Sequence, residues 1–380
     1  MVEWKEYRIK DLGEVVTGNT PPTSNREYYG TEYKFIKPTD MVEGQRFVST
    51  TEEYYSELAY QKYKKCLLPP KTPCVVTIGS LGKKMCLTDT ECFTNQAVNA
   101  VIPNKENDGE FLYYAFKASV LAYVKQLDSG TTSGRENVSK SSFSKIKVRV
   151  PPLPTQQKIA SILSAYDNLI QNYKKQIEAL QTAASELYKE WFVRFRFPGY
   201  QNTKFENGIP EGWKIERLTK LVGIKYGKDH SKLDDGNIPV YGSGGIMRYC
   251  NKALYDKETV LIPRKGSLNN IMYANRPLWT VDTMFYSIML RKNFAKYLYY
   301  VLSKIDMESF NAGAALPSMT TEILSHFKII VPDNKTLELF DNKIALIFTQ
   351  IDNLQQQIAN LTQQRDLLLP RLMSGKLEVK

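Results

Sequence analysis

The feature that most constrains this 380-residue chain is that it contains one pattern twice. Trp4-Lys5-x-x-Arg8-x-x-x-Leu12, followed by Gly18, returns 209 residues later as Trp213-Lys214-x-x-Arg217-x-x-x-Leu221, followed by Gly227. Gly79-Ser80-Leu81 matches Gly266-Ser267-Leu268 at an offset of 187, and Leu112-Tyr113-Tyr114 matches Leu298-Tyr299-Tyr300 at 186. Lys158-Ile159-Ala160 recurs as Lys343-Ile344-Ala345 and Asp167-Asn168-Leu169 as Asp352-Asn353-Leu354, both at 185. A repeat of this length means two structural units, and the shrinking offset makes the second globular part about twenty residues shorter.

The ends of the repeats are helical. Apolar or small residues fall at 159, 163, 166, 170, 173, 177, 180, 184, 187 and 191, with no Gly or Pro between Pro154 and Trp191. That alternation of four and three is a heptad seam. Phe340, Ile344, Ile347, Ile351, Leu354, Ile358, Leu361, Leu368 and Leu372 keep the same rhythm, with Arg365 as the one polar interruption. The residues expected to pack along the seam or against partners are Ile159, Leu163, Ile170, Ile177, Leu180 and Leu187 in the first helix. In the second they are Ile344, Ile351, Leu354, Ile358, Leu361 and Leu368. Ten residues separate Asp167 from Ile177 but six separate Asp352 from Ile358. The difference is about one helical turn, so the stripe survives it. Because a globular part lies between the helices, an antiparallel pair is the economical arrangement.

The globular parts read as mixed α and β. Cys74 to Ile78, Val98 to Ile102, Val260 to Ile262 and Tyr286 to Leu290 have the short apolar runs of strands, while Phe111 to Leu127 and Phe294 to Leu302 have helical spacing. Lys145 to Val150 and Phe327 to Val331 read as closing strands stopped by Pro151 and Pro332, which mark the start of each long helix. The expected division is 1–153, 154–192, 193–334 and 335–380, with 193–212 as a linker rich in Gly, Pro and Asn.

The net charge of +11 is unevenly placed. Residues 154–192 and 335–373 each carry four basic and four acidic side chains, whereas 1–153 has 21 against 18 and 193–334 has 20 against 13. Neutral rods holding basic domains suggest two polyanion-binding modules on a spacer. No run of about 18 apolar residues occurs, and the charged start lacks a signal peptide's apolar stretch, so a cytoplasmic protein with no membrane role is expected. Five cysteines with no CxxC pair and only His230 and His326 nearby indicate neither a disulfide framework nor a zinc site.

Catalytic motifs are lacking. Neither histidine lies beside a recognisable nucleophile. Gly79-Ser-Leu-Gly82-Lys83-Lys84 lacks the GxxxxGK[ST] spacing of a phosphate loop. Thr20-Pro-Pro-Thr23 has the wrong flanks for an adenine-methyltransferase motif, and Pro332-Asp333 with Glu338 lacks the spaced Lys of a nuclease. The chain is expected to bind rather than to catalyse. Polar loops that recur in both halves are the candidate DNA contacts. Arg can grip guanine and Asn or Gln adenine with two bonds. These considerations single out Asn95, Gln96, Arg135, Asn137 and Lys140 in the first half, and Arg264, Lys265, Asn269, Asn270, Asn311 and Ser318 in the second. Lys83, Lys84 and Ser267 suit phosphates.

Taken together, the paired WK-x-x-R-x-x-x-L openings and Val150-Pro-Pro-Leu-Pro-Thr-Gln-Gln157 resemble the specificity subunits of type I restriction-modification systems. So do the junction Leu187-Tyr-Lys-Glu-Trp-Phe-Val-Arg-Phe-Arg-Phe-Pro-Gly199 and the end Leu368-Leu369-Pro370-Arg371-Leu372-Met373-Ser374-Gly375-Lys376-Leu377. The resemblance covers the whole chain. It implies an α+β fold with two mixed α/β target-recognition domains in tandem repeat, separated by two long antiparallel coiled-coil helices. It also implies that each domain reads half of a bipartite, asymmetric site on double-stranded DNA, and that the helices dock two methyltransferase subunits. On this reading the chain holds no cofactor. S-adenosylmethionine serves the methyltransferase subunits, and ATP and Mg serve restriction subunits where these join. A coiled-coil scaffold gripping DNA without sequence preference is the alternative. One departure is Asp333-Asn334-Lys335, which replaces the family's usual proline-rich start to the second helix.

Overall fold

A computed structural model of the chain describes residues 3–127, 137–310 and 318–379. It divides into two compact units, Met1–Lys174 with Gln355–Lys380 and Lys175–Leu354. Each unit therefore owns a piece of both long helices, Leu153–Tyr188 and Asn334–Met373.

Each unit is built around a four-stranded antiparallel sheet of the same order. In the first it runs Gly13–Thr17, Val98–Pro103, Pro73–Val76, Met85–Leu87. In the second it runs Val222–Tyr226, Met284–Met289, Thr259–Pro263, Met272–Ala274. The central strands Pro73–Val76 and Thr259–Pro263 are wholly buried, which explains why they read as continuous apolar runs rather than alternating ones. The repeated Trp-Lys opening forms an outer strand in each unit: Lys5–Arg8 pairs with Lys147–Val150, and Lys214–Arg217 with Lys328–Val331. The proline after each closing strand then releases the chain into a long helix.

A second, smaller sheet lies in each unit and contains a parallel pair. Tyr33–Ile36 runs parallel to Cys92–Thr94, and Ile238–Gly242 to Trp279–Thr280. Short strands and the helix Glu57–Tyr63 enlarge the first of these, which accounts for the greater length of the first copy.

The helix expected over 111–127 is interrupted: Gly109–Ala115 passes through a π turn, Phe116–Val120, into Leu121–Gln126. The helix expected over 294–302 forms as Ala295–Leu302. Both present their repeated Leu-Tyr-Tyr to a core. Leu112, Tyr113 and Tyr114 are almost fully buried, as are Leu298 and Tyr300.

In each unit the two helix pieces run in opposite directions. In the first, Ile159 and Leu163 share a core with Leu369 and Leu372. In the second, Trp191 and Phe192 pack on Phe340 with ring centroids 5.9 and 4.8 Å apart. Ile159, Leu163, Ile170, Ile344, Ile351 and Leu354 are buried, while Ile177, Leu180, Leu187, Ile358, Leu361 and Leu368 are half-buried. The second helix stops at Met373, and Gly375 supplies the left-handed turn (φ +71°) beyond it.

The two helix starts are secured differently. At the first, Gln156 Oε1 accepts from the Asp108 amide (2.9 Å), and its Nε2 donates to the Pro151 carbonyl (2.9 Å). At the second, Asp333 accepts from the Thr336 amide (2.9 Å), the Thr336 hydroxyl (2.6 Å) and the Trp213 indole N–H (3.1 Å). The unusual Asp333-Asn334-Lys335 start is thus an N-cap. Segment 193–212 folds onto the second unit, where Phe195 and Phe197 pack on Trp213 at 5.7 and 5.1 Å and Phe205–Glu206 pairs with Ile209–Pro210.

Candidate nucleic-acid interface

At one end of each four-stranded sheet, polar loops from distant parts of the chain are tied together by the same backbone bonds. In the first unit the Thr77 amide donates to the Ala97 carbonyl (2.8 Å), and the Val138 amide donates to the Thr77 carbonyl (2.8 Å). In the second unit the Arg264 amide donates to the Thr283 carbonyl (2.8 Å), and the Met319 amide to the Arg264 carbonyl (2.9 Å). The bridges Ile78 to Asn137 and Lys265 to Ser318 complete the match. Beyond them, Ser139 and Thr320 each cap a short helix, Lys140–Ser144 and Thr321–Ser325.

The repeated glycines explain how close these loops lie. A β-carbon on Gly18 would stand 2.0 Å from the Thr94 carbonyl oxygen, and one on Gly227 2.0 Å from that of Val281. No other residue fits, so the loops after Thr17 and Tyr226 cross directly beside Thr94–Asn95 and Thr280–Val281. Gly79 and Gly266 hold the left-handed conformation (φ +87° and +81°) needed to turn the Gly-Ser-Leu loops outward. Leu81 and Leu268 anchor those loops in the core.

Several sequence-selected residues gather at these two clusters. In the first, Asn95 accepts from the Ala97 amide (3.1 Å), Gln96 is exposed and accepts from the Thr20 hydroxyl, and Asn137 sits on the bridge to Ile78. In the second, the Arg264 guanidinium lies 5.2 Å over the Tyr226 ring and donates to the Asp282 carbonyl (3.3 Å). This cation–π contact holds the guanidinium at the cluster. Lys265 and Ser267 are exposed beside it, Ser318 is half-buried, and Lys83 and Lys140 are exposed in the first unit.

Other selected residues are committed to bonds away from these backbone ties. Lys84 Nζ donates to the Pro38 carbonyl (2.8 Å). Asn269 clamps a neighbouring turn, donating to Asp306 (3.1 Å) and accepting from the Met307 amide (2.7 Å), and Asn270 donates to the Ser243 carbonyl (2.8 Å). Arg135 and Asn311 lie outside the described residues. Tyr226 and Lys228 belong to the second cluster but were not singled out from sequence; the repeated Gly227 between them was the available signal. Arg365, read as an interruption of the seam, is a member of it: it is 8 % exposed and paired with Asp167.

The cysteines are free thiols. Burial pushes the Cys92 thiol well above its ordinary range, and a hydrogen bond to Cys86 together with burial does the same for Cys74. Both stay protonated and unreactive. Among the described residues no three side chains of metal-ligating type are grouped, and no helix is long and apolar enough to cross a membrane.

Two sheet domains, each with an equivalent loop cluster and a share of two long helices, define a duplicated recognition protein. The sequence model of the type I restriction modification DNA specificity domain matches residues 1–182 and again 210–365, and the chain belongs to that family. It is a DNA sequence-recognition subunit. It is similar to the type I restriction enzyme MjaIX specificity subunit of Methanocaldococcus jannaschii, with 27 % identity covering 100 % of this chain and 94 % of that one. It also resembles the HindI specificity subunit of Haemophilus influenzae, at 35 % identity over 44 % of this chain and 38 % of that one. Its fold is that of the crystal structure of a type I restriction-modification system S subunit from M. genitalium (TM-score 0.66, 20 % identity, 98 % and 96 % covered).

Proposed function

We propose that each unit reads one half of a split, asymmetric site on double-stranded DNA, that the long helices set the gap between the halves, and that they dock two methyltransferase subunits. The observation that carries this reading is the loop cluster built twice by the same backbone bonds but lined by different side chains. Asn95, Gln96 and Asn137 line one; Arg264, Lys265 and Ser267 line the other. One framework with two contents suits two different half-sites.

Catalysis then lies in the partners. Adenine methylation with S-adenosylmethionine falls to the methyltransferase subunits, ATP- and Mg-dependent cleavage to restriction subunits where these join, and the complex works in the cytoplasm. Neutral helices holding basic domains favour this over a scaffold that grips DNA everywhere.

The test is methylome sequencing of a host with and without the chain, co-expressed with its methyltransferase. A bipartite motif that appears with the chain supports the reading, and an unchanged methylome defeats it. Adding one helical turn to both long helices should lengthen the unread gap, since about four residues preserve the facing stripe. An unchanged gap would remove the spacing role.

A further inference from the structure

In the second unit, Ile238–Gly242 and Gly245–Cys250 form a hairpin closed by Ser243 and Gly244. Its register slips: Val240 pairs with Arg248 but Tyr241 with Ile246, leaving Met247 as the extra residue of a bulge. A bulge bends its strand and re-aims a side chain. Here Met247 is 60 % exposed, beside Ile246 at 49 % and Tyr249 at 50 %. Behind them Val240 and Cys250 fill the core, so the outward apolar residues are not spent on folding the hairpin.

This hairpin is fastened to the loop cluster. Asn270 Nδ2 donates to the Ser243 carbonyl (2.8 Å), and the Val281 amide donates to that of Tyr241 (3.0 Å). Met247 lies over Gly242, where a β-carbon would stand 2.5 Å from its sulfur and 3.8 Å from Val281. Val281 adjoins Asp282, whose carbonyl receives Arg264. The hairpin and the Arg264 guanidinium thus meet the same segment of chain, 281–282.

After its matching strand the first unit, among the described residues, has a loop rather than a bulged hairpin, with Val42 as its one large exposed apolar side chain. Beyond Ile36 the chain enters a loop held by Asp40, which accepts from the Lys37 amide (2.7 Å) and the Glu52 amide (2.9 Å), and Met41 is 1 % exposed.

We propose that the 238–250 hairpin enters the major groove of the second half-site, where Met247 and Ile246 contact a thymine 5-methyl group beside the base read by Arg264. This rests on the DNA-reading function above. The major groove admits a two-stranded ribbon, and the thymine methyl is its one apolar feature. Exposed Lys225, Lys228 and Lys265 around the cluster favour a polyanion over an apolar protein partner.

The test uses the full subunit assembled with its methyltransferase, on its own methylation site. Each thymine of the second half-site, on either strand, is replaced in turn by deoxyuridine, which lacks only the methyl. The unaltered subunit should lose about fourfold in affinity at one such thymine, the value of one buried methyl group. The Ile246→Ala/Met247→Ala subunit should lose nothing there, and Met247→Leu should keep the discrimination, showing that the hairpin still folds. The proposal is overturned if both proteins respond alike to every deoxyuridine, if the alanine variant weakens equally on unrelated DNA, or if the half-site contains no A·T pair. Absence of any sequence preference in the unaltered complex would instead defeat the DNA-reading function itself.

Discussion

Arg365 Nη1 donates to Asp167 Oδ1 at 2.6 Å, joining residues 198 positions apart, while the Tyr114 hydroxyl donates to the other carboxylate oxygen at 2.6 Å. One carboxylate therefore ties both helices of the first unit to its globular core. Its repeat counterpart, Asp352, meets Arg276 at 3.2 Å with both side chains substantially exposed. Duplication has left one aspartate in two environments.

Those environments should give different mutational costs. Asp167→Ala leaves the buried Arg365 with only the half-exposed Asp366 and the buried Tyr114 hydroxyl without its acceptor, and should destabilise the first unit by about 2 to 3 kcal/mol. Asp352→Ala removes an exposed pair and should cost at most about 1 kcal/mol. Urea unfolding of both variants checks the contrast, and equal losses would refute it.

Asp333 gives a pH signature. Burial raises its pKa, but the hydrogen bonds from Thr336 and Trp213 outweigh this and hold it below the ordinary value. A depressed pKa means the cap's contribution is present above the unfolded value of about 3.9 and fades as pH falls through the lower folded value. Asp333→Ala should cost about 1 kcal/mol near neutrality, a difference that shrinks below about pH 3.9. Thermal unfolding across pH 7 to 2.5 measures it.

Arg264 and Lys265 are neighbours with different expected roles. Held over the Tyr226 ring, Arg264 is positioned for a base: Arg264→Ala should relax one position of the second half-site by about 1 to 3 kcal/mol. Lys265→Ala should weaken binding evenly on all sequences and lower the salt slope by about 1. Binding to a panel of single-base variants at two salt concentrations separates the outcomes.

Asn269 should act on stability rather than on reading. Asn269→Ala removes the bonds to Asp306 and the Met307 amide, at about 0.5 to 1.5 kcal/mol each. The methylated motif should remain unchanged, so an altered motif would show that the residue also touches DNA.

Much of the fold was legible in the chain itself. Cys74 to Ile78 and Val260 to Ile262 read as strands because burial on both faces demands unbroken apolar runs, and the strands form as Pro73–Val76 and Thr259–Pro263. The helices read as such because a heptad seam needs only local spacing. The loop clusters were half legible: recurrence of Gly-Ser-Leu pointed to loops that the fold gathers in both units, but not to which of their side chains are engaged within the protein. Asn95 and Asn269 look alike in sequence, yet one braces its own loop through the Ala97 amide beside the Gly18 crossing and the other clamps a distant turn through Asp306 and Met307.

The sequence by itself determined the duplication, the order of elements and the place of the charge, since these follow from covalent order and short-range periodicity. Tertiary structure alone decided that Arg365 belongs to the seam, that Lys84 and Asn270 are occupied, and that a bulge turns Met247 outward. The physical reason is common to all of them. A polar or apolar side chain takes its role from what faces it, and Asp167, Pro38, Ser243 and Gly242 reach those positions only when distant segments pack.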